Sequence, residues 1–102
     1  EVIHTNTDIV RIGNLEIDRE KYIVVQNGIT INLPRKEFEL LALLTSKPGK
    51  VFTRDEIFNT VWGSDVVVGD RTIDVHIRKI REKLNLDNIR TIKGVGYKFE
   101  NS

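Results

Sequence analysis

Apolar and polar residues alternate over the first third of the chain, and then the spacing changes to threes and fours. Residues 9–12 read Ile-Val-Arg-Ile and residues 15–18 read Leu-Glu-Ile-Asp, with Gly13-Asn14 between them. Tyr22-Ile23-Val24-Val25 and Ile29-Thr30-Ile31-Asn32 flank Gln26-Asn27-Gly28. Short β-rich runs bounded by turn residues predict strands, and Asn-Gly between two of them predicts a hairpin. A small antiparallel sheet of three or four strands is expected here. From about Pro34 the pattern is helical, with Phe38, Leu41, Ala42 and Leu44 on the apolar side. Ser46-Lys47-Pro48-Gly49 breaks it, and Val51-Phe52 reads as a short extended segment. A second helix starts at Thr53, where Thr53-Arg54-Asp55-Glu56 fits a capping box, and runs through Ile57, Phe58, Val61 and Trp62 to Gly63. The segment Ser64-Asp65-Val66-Val67-Val68-Gly69 is read as a loop, with Asp70 as the N-cap of a third helix.

That third helix is the most informative stretch. At about 100° per residue, Ile73, Ile77, Ile80 and Leu84 fall within roughly 60° of one another. Arg71, Val75, Arg78, Lys79 and Glu82 fall opposite; Thr72, His76 and Lys83 flank one side, Asp74 and Arg81 the other. One face is built to dock on a core. The other offers cations, an imidazole and a Val, as a major-groove reader requires. A charged face opposite an apolar stripe is also what ordinary solvated surface looks like, so the rest of the chain decides. After Asn85-Leu86-Asp87-Asn88 come two short runs around Gly94-Val95-Gly96, read as a hairpin carrying Arg90, Lys93 and Lys98.

Composition narrows the classes. At 102 residues, 39% hydrophobic and 30% charged, the chain suits one globular domain. No apolar run approaches the length of a membrane span. With no Cys, a disulfide framework, a thiolate nucleophile and a Cys-based zinc site are excluded, which fits a reducing, cytoplasmic setting. Residues 1–8 are polar, show no secretory pattern, and are read as the end of an interdomain linker. Together with the lack of Met, they lead us to expect a partner domain upstream, with the folded domain over residues 9–100. The net charge of +1 hides an asymmetry: residues 1–70 carry −3 and residues 71–102 carry +4. The basic charge lies on the third helix and the hairpin, a footprint suited to phosphate. An enzyme is not expected: Ser46, Ser64 and Ser102 are scattered, the two His are far apart, and no phosphate-cradling Gly motif follows a strand. No metal or cofactor is expected either.

Helix, helix, basic helix and basic hairpin make an α+β winged helix-turn-helix, departing from the plain motif only in the seven-residue loop between Trp62 and Asp70. Leu33-Pro34-Arg35-Lys36-Glu37-Phe38-Glu39-Leu40-Leu41, Val51-Phe52-Thr53-Arg54, Val61-Trp62-Gly63, the string from Asp70 to Leu84, and Lys93-Gly94-Val95-Gly96-Tyr97-Lys98-Phe99 occur in that order. The chain from about Ile9 to Phe99 thereby resembles the C-terminal DNA-binding effector domain of OmpR/PhoB-type two-component response regulators. The resemblance implies an N-terminal four-stranded antiparallel sheet, three helices and a C-terminal hairpin wing. It also implies an upstream receiver domain phosphorylated by a histidine kinase. It implies binding to double-stranded promoter DNA as a tandem homodimer on direct repeats, with Ser64, Asp65, Val66, Val67 and Val68 facing RNA polymerase. The family usually has Ser or Thr where Pro34 stands, so the first-helix cap is lost here, at a local cost of about 1 kcal/mol.

Each candidate residue has a bland alternative. The resemblance places Arg71 and Thr72 on the DNA backbone, where a cation and a hydroxyl at a helix N-terminus suit phosphate; Thr72 is alternatively a capping hydroxyl. Val75 suits a thymine methyl or sugar, or is a chance surface Val. His76 at the edge of the face suits phosphate, and Lys83 flanks the same side. Arg78 and Lys79 are the candidates for base edges and adjacent phosphates. Arg78 has a competing role as ion-pair partner of Asp74 or Glu82, and Asp74 is read as a structural partner of Arg78 or Arg81. In the wing, Lys93 beside Gly94 suits the minor groove and Thr91 a nearby phosphate, while Tyr97 is as readily core as contact. Arg54 and Trp62 resemble family positions on backbone phosphates; for Trp62 core packing is the alternative. A second function remains open: a winged-helix protein-interaction module acting mainly through the 63–69 loop.

Overall fold

The computed structural model describes residues 9–63 and 71–100, apart from the side chain of Arg71. The first four strands, β1 (Ile9–Ile12), β2 (Leu15–Asp18), β3 (Ile23–Gln26) and β4 (Ile29–Ile31), form an antiparallel meander in the order β1-β2-β3-β4. Alternation sets its faces: Leu15, Ile17 and Val24 are buried, while Arg11 and Glu16 pair across the sheet at 3.5 Å. The β3–β4 hairpin turns at Asn27 (φ 54°) and Gly28 (φ 80°), the left-handed pair expected of Asn-Gly.

Next come α1 (Arg35–Ser46), β5 (Phe52–Thr53), α2 (Arg54–Val61), α3 (Arg71–Leu84), β6 (Ile89–Ile92) and β7 (Gly96–Phe99). Pro34 is the N-cap of α1 rather than its first helical residue: its carbonyl accepts Phe38 N–H at 2.9 Å and no side chain caps the helix. The capping box of α2 is complete, with Thr53 Oγ1 accepting from Glu56 N at 3.1 Å and Glu56 Oε1 accepting from Thr53 N at 2.9 Å. The expected Asp70 cap of α3 lies outside the described residues, as do residues 1–8.

The second sheet has the order β5-β7-β6. Its hairpin tip is not Gly94-Val95-Gly96 as the sequence suggested. The turn occupies residues 93–95, with Gly94 at φ 78°, and Gly96 is buried in β7 opposite Thr53 and Ile92. A Cβ at Gly96 would overlap the carbonyl oxygen of Phe52, so glycine is needed there for strand contact, not for a turn.

One core joins both sheets to the helices. Ile73, Ile77, Ile80 and Leu84 of α3 pack with Phe38, Leu40, Leu41 and Leu44 of α1, Ile57 and Val61 of α2, and Ile89, Tyr97 and Phe99 of the hairpin. Polar ties fix the element ends. Gln26 Nε2 donates to Leu84 O at 2.7 Å, joining the meander to α3. Lys36 Nζ donates to Val61 O at 2.6 Å, satisfying a terminal carbonyl of α2. No described helix is long and apolar enough to cross a membrane.

Candidate nucleic-acid interface

The buried stripe of α3 leaves the opposite side of the helix in solvent. Val75, Arg78, Lys79 and Glu82 are exposed there, and Thr72 is half-buried. Val75 is among the few exposed large apolar residues described. The side chains of Arg78 and Lys79 have no ion pair or hydrogen bond among the described residues. The expected i,i+4 pairing of Arg78 with Asp74 or Glu82 is therefore absent, and both cations are available to a ligand.

Three other charged residues of α3 are engaged by neighbouring elements. Asp74 takes neither Arg78 nor Arg81: its carboxylate binds Arg54, with Nη1 at 3.0 Å and Nη2 at 3.3 Å, and accepts the Tyr97 hydroxyl. Arg81 donates to Ile89 O from Nε at 3.2 Å and from Nη2 at 2.7 Å, and to Thr91 Oγ1 at 3.0 Å. Lys83 Nζ sits 2.9 Å from Oε1 of Glu37, which is only 3% exposed in α1. Lys83 thus neutralises a buried carboxylate between two helices. Lys83, like Asp74, is a flanking residue whose charge already has a partner.

The wing is fastened to β5 and the start of α2. Arg54 N donates to Val95 O at 3.2 Å, Gly49 N to Phe99 O at 2.8 Å, and β5 pairs with β7. Arg54 therefore stands where the start of α2, the wing turn and the first turn of α3 meet. The hydrogen bonds it donates to Asp74 hold its guanidinium pKa above the ordinary arginine value. Tyr97 is core rather than surface, at 4% exposure, and burial followed by its bond to Asp74 pushes its hydroxyl pKa up. Lys93 and Gly94 are exposed at the turn, as is Thr91 in β6. The other two wing cations are occupied: Glu100 binds Arg90 at 3.0 Å and Lys98 at 3.2 Å. Lys98 first and then Arg90 hold its carboxyl below the usual range. Lys93 is the wing lysine without an ion pair among the described residues. The sequence reading missed Val95, exposed beside it at the turn; its signal was its place between two glycines.

Trp62 caps the end of α2, half-buried, stacked on Phe58 at 5.7 Å and edge-on to His76 at 5.1 Å. His76 Nδ1 lies 2.7 Å from Thr72 O. A carbonyl only accepts, so Nδ1 carries the hydrogen, and Nε2 would donate to an anion only in the imidazolium form. The loop residues Ser64, Asp65, Val66, Val67 and Val68, and the side chain of Arg71, lie outside the described residues. A hollow of about 450 Å³ near Tyr22, Phe38 and Glu39 belongs to another part of the molecule; its Arg35 and Lys36 are held by Glu39 at 3.1 and 3.5 Å.

Residues 28–99 match the family model described as "Transcriptional regulatory protein, C terminal". The chain is 41% identical over 104 residues to the phosphate regulon transcriptional regulatory protein PhoB of Rhizobium meliloti, an alignment covering 98% of this chain and 44% of that protein. Its fold superposes on the Thermotoga maritima response regulator DrrB, an OmpR/PhoB homologue, with a TM-score of 0.82 at 37% identity, covering 91% of this chain and 44% of the other. It superposes on the Klebsiella pneumoniae RstA DNA-binding domain, solved with its RstA box, with a TM-score of 0.83 at 27% identity, covering 92% and 98%. The chain spans under half the length of the curated relatives it matches. Winged-helix architecture, family match and relatives agree: the chain belongs to the C-terminal effector domains of OmpR/PhoB-type response regulators.

Proposed function

We propose that this domain binds double-stranded promoter DNA sequence-specifically, with α3 in the major groove and the wing in the minor groove. The observation that carries this is the exposed face of α3. Among the described residues Arg78 and Lys79 have no ion pair or hydrogen bond beside exposed Val75, while Arg81 and Lys83 of that helix are held by the hairpin and by α1. An acid one turn away can pair with a surface cation and adds about 0.2–0.5 kcal/mol to the helix. Here Asp74 is drawn to Arg54 instead. Arg78 suits a guanine edge or phosphate, Lys79 a neighbouring phosphate and Val75 a thymine methyl. Thr72, Arg71 and His76 suit the backbone at the start and edge of the helix. In the wing, Lys93 beside Gly94 and Val95 suits a narrow groove, with Thr91 near its phosphates. Arg54 and Trp62 flank the helix on the α2 side.

The family supports the wider setting: a receiver domain addressed by a histidine kinase, tandem copies on direct repeats, the 63–69 loop toward RNA polymerase, and a cytoplasmic site of action. The test is selection of bound duplexes from a random pool, followed by a salt titration. Two half-sites in direct repeat, about one helical turn apart, are expected. With about five phosphate contacts per copy, log K against log salt should slope near −4 to −5. A pool that yields no enriched sequence, or a flat salt response, overturns the reading. The double charge reversal Arg78→Glu with Lys79→Glu should abolish DNA binding, whereas a domain acting through protein contacts alone would be unaffected.

A further inference from the structure

Asp74 is an anion in the first turn of the helix that carries the free cations. Beside DNA it opposes binding, and as an exposed ion pair it adds only about 0–1 kcal/mol to stability. Its contacts suggest a different use. Arg54 opens α2, Tyr97 lies in β7 and Asp74 in α3, so a single carboxylate ties together the two helices and the wing. The Arg54 N–H to Val95 O bond extends the same junction to the wing turn.

We propose that Asp74 is a positioning residue that sets DNA specificity. By holding the Arg54 guanidinium and the Tyr97 hydroxyl, it fixes the wing and the start of α2 in one register against α3. It also restrains Arg54, so that this cation meets phosphate only on a duplex whose grooves fit helix and wing together. Non-specific binding rests on phosphate charge alone and needs no such register. Specific binding needs base contacts and wing contacts at once. Asp74 therefore trades total affinity for discrimination. This inference rests on the DNA-binding reading above.

The test compares the wild-type chain with Asp74→Asn on two probes: the duplex enriched from the random pool, and a scrambled duplex of equal length. Asn keeps the side-chain size and removes the charge that pairs with Arg54. Affinity for the scrambled duplex should rise about two- to tenfold, while affinity for the enriched duplex should not keep pace. The ratio of the two should fall by up to about tenfold. Tyr97→Phe removes one tie without a charge change and should lower the same ratio about threefold. It keeps the proposal testable if Asp74→Asn does not fold. A rise in both affinities by one factor overturns the proposal, since Asp74 would then be only a repulsive charge. An equal fall in both, together with a lower melting temperature, also overturns it, because the role would be structural only. An unchanged ratio in Tyr97→Phe counts against it as well. Wild type that binds neither duplex removes the DNA reading itself, and this proposal with it.

Discussion

Replacing Lys83 by Met separates anchoring from DNA contact most cleanly. The Lys83 ammonium lies 2.9 Å from a Glu37 carboxylate whose side chain is 4% exposed, while the lysine side chain is 38% exposed. Met keeps most of the apolar stem and removes the charge. Removing one partner of a fully buried pair costs about 3–5 kcal/mol. Solvent reaches the lysine end here and screens the pair, so we expect about 2 kcal/mol. That loss corresponds to a drop in melting temperature on the order of 10 °C for a domain of this size. Urea unfolding at neutral pH measures it directly. Adding Glu37→Leu to Lys83→Met should recover most of the stability, since apolar pairs replace buried ion pairs well. DNA affinity of Lys83→Met at a temperature where it is folded should stay within about twofold of wild type, with the same salt slope. Two results refute the reasoning: a stability loss below about 0.5 kcal/mol, or a salt slope shallower by about 0.9, the signature of a lost phosphate contact.

Three further outcomes are expected. The Glu56 carboxyl titrates below the usual range because the Thr53 N–H binds it first and Lys50 lies nearby. Its contribution is present above the ordinary glutamate value of about 4.3 and is lost as pH falls through the lower folded value; Glu56→Gln should flatten that part of an acid-unfolding profile. Gly96→Ala forces a methyl onto the Phe52 carbonyl, so a loss of about 1–3 kcal/mol in chemical unfolding is expected, with the β5–β7 amides losing exchange protection. Pro34→Ser supplies the missing acceptor at the head of α1, where the backbone is already extended at ψ 154°. It should add about 0.5–1 kcal/mol, no more, because Glu37 is committed to Lys83 and cannot close a capping box; a loss of stability would contradict the cap geometry.

Local rules carried the elements. Alternation marked the strands, Asn27-Gly28 the hairpin, Thr53 and Glu56 the start of α2, and the apolar stripe of α3 its buried face. What escaped the sequence were pairings between residues far apart in the chain. Helical spacing offered Arg78 or Arg81 to Asp74, four and seven residues away, yet folding brings up Arg54 from 20 residues away. A rigid neighbour held by the wing and α2 displaces a flexible one on the same helix. Lys83 finds Glu37 from 46 residues away because packing of α1 against α3 brings the buried carboxylate to it. Gly96 looked like part of a turn because its demand comes from Phe52, a strand neighbour invisible to local pattern. Which cations of α3 lack a partner among the described residues depends on these distant contacts, and local pattern does not show them.

The pairing of β5 with β7 also bears on how the domain folds. Thr53 and Gly96 are neighbours in the sheet but lie 43 positions apart in the chain. Closing a flexible segment of that length costs on the order of 3 kcal/mol of chain entropy before the contact returns anything. Two residues of strand cannot repay that cost until α2 and α3 have collapsed on their shared core. The wing should therefore be the last element to dock and should carry low φ-values, with substitutions there speeding unfolding rather than slowing folding. A chain cut before residue 96 would lose the strand that holds β5, and the start of α2 would lose its seat.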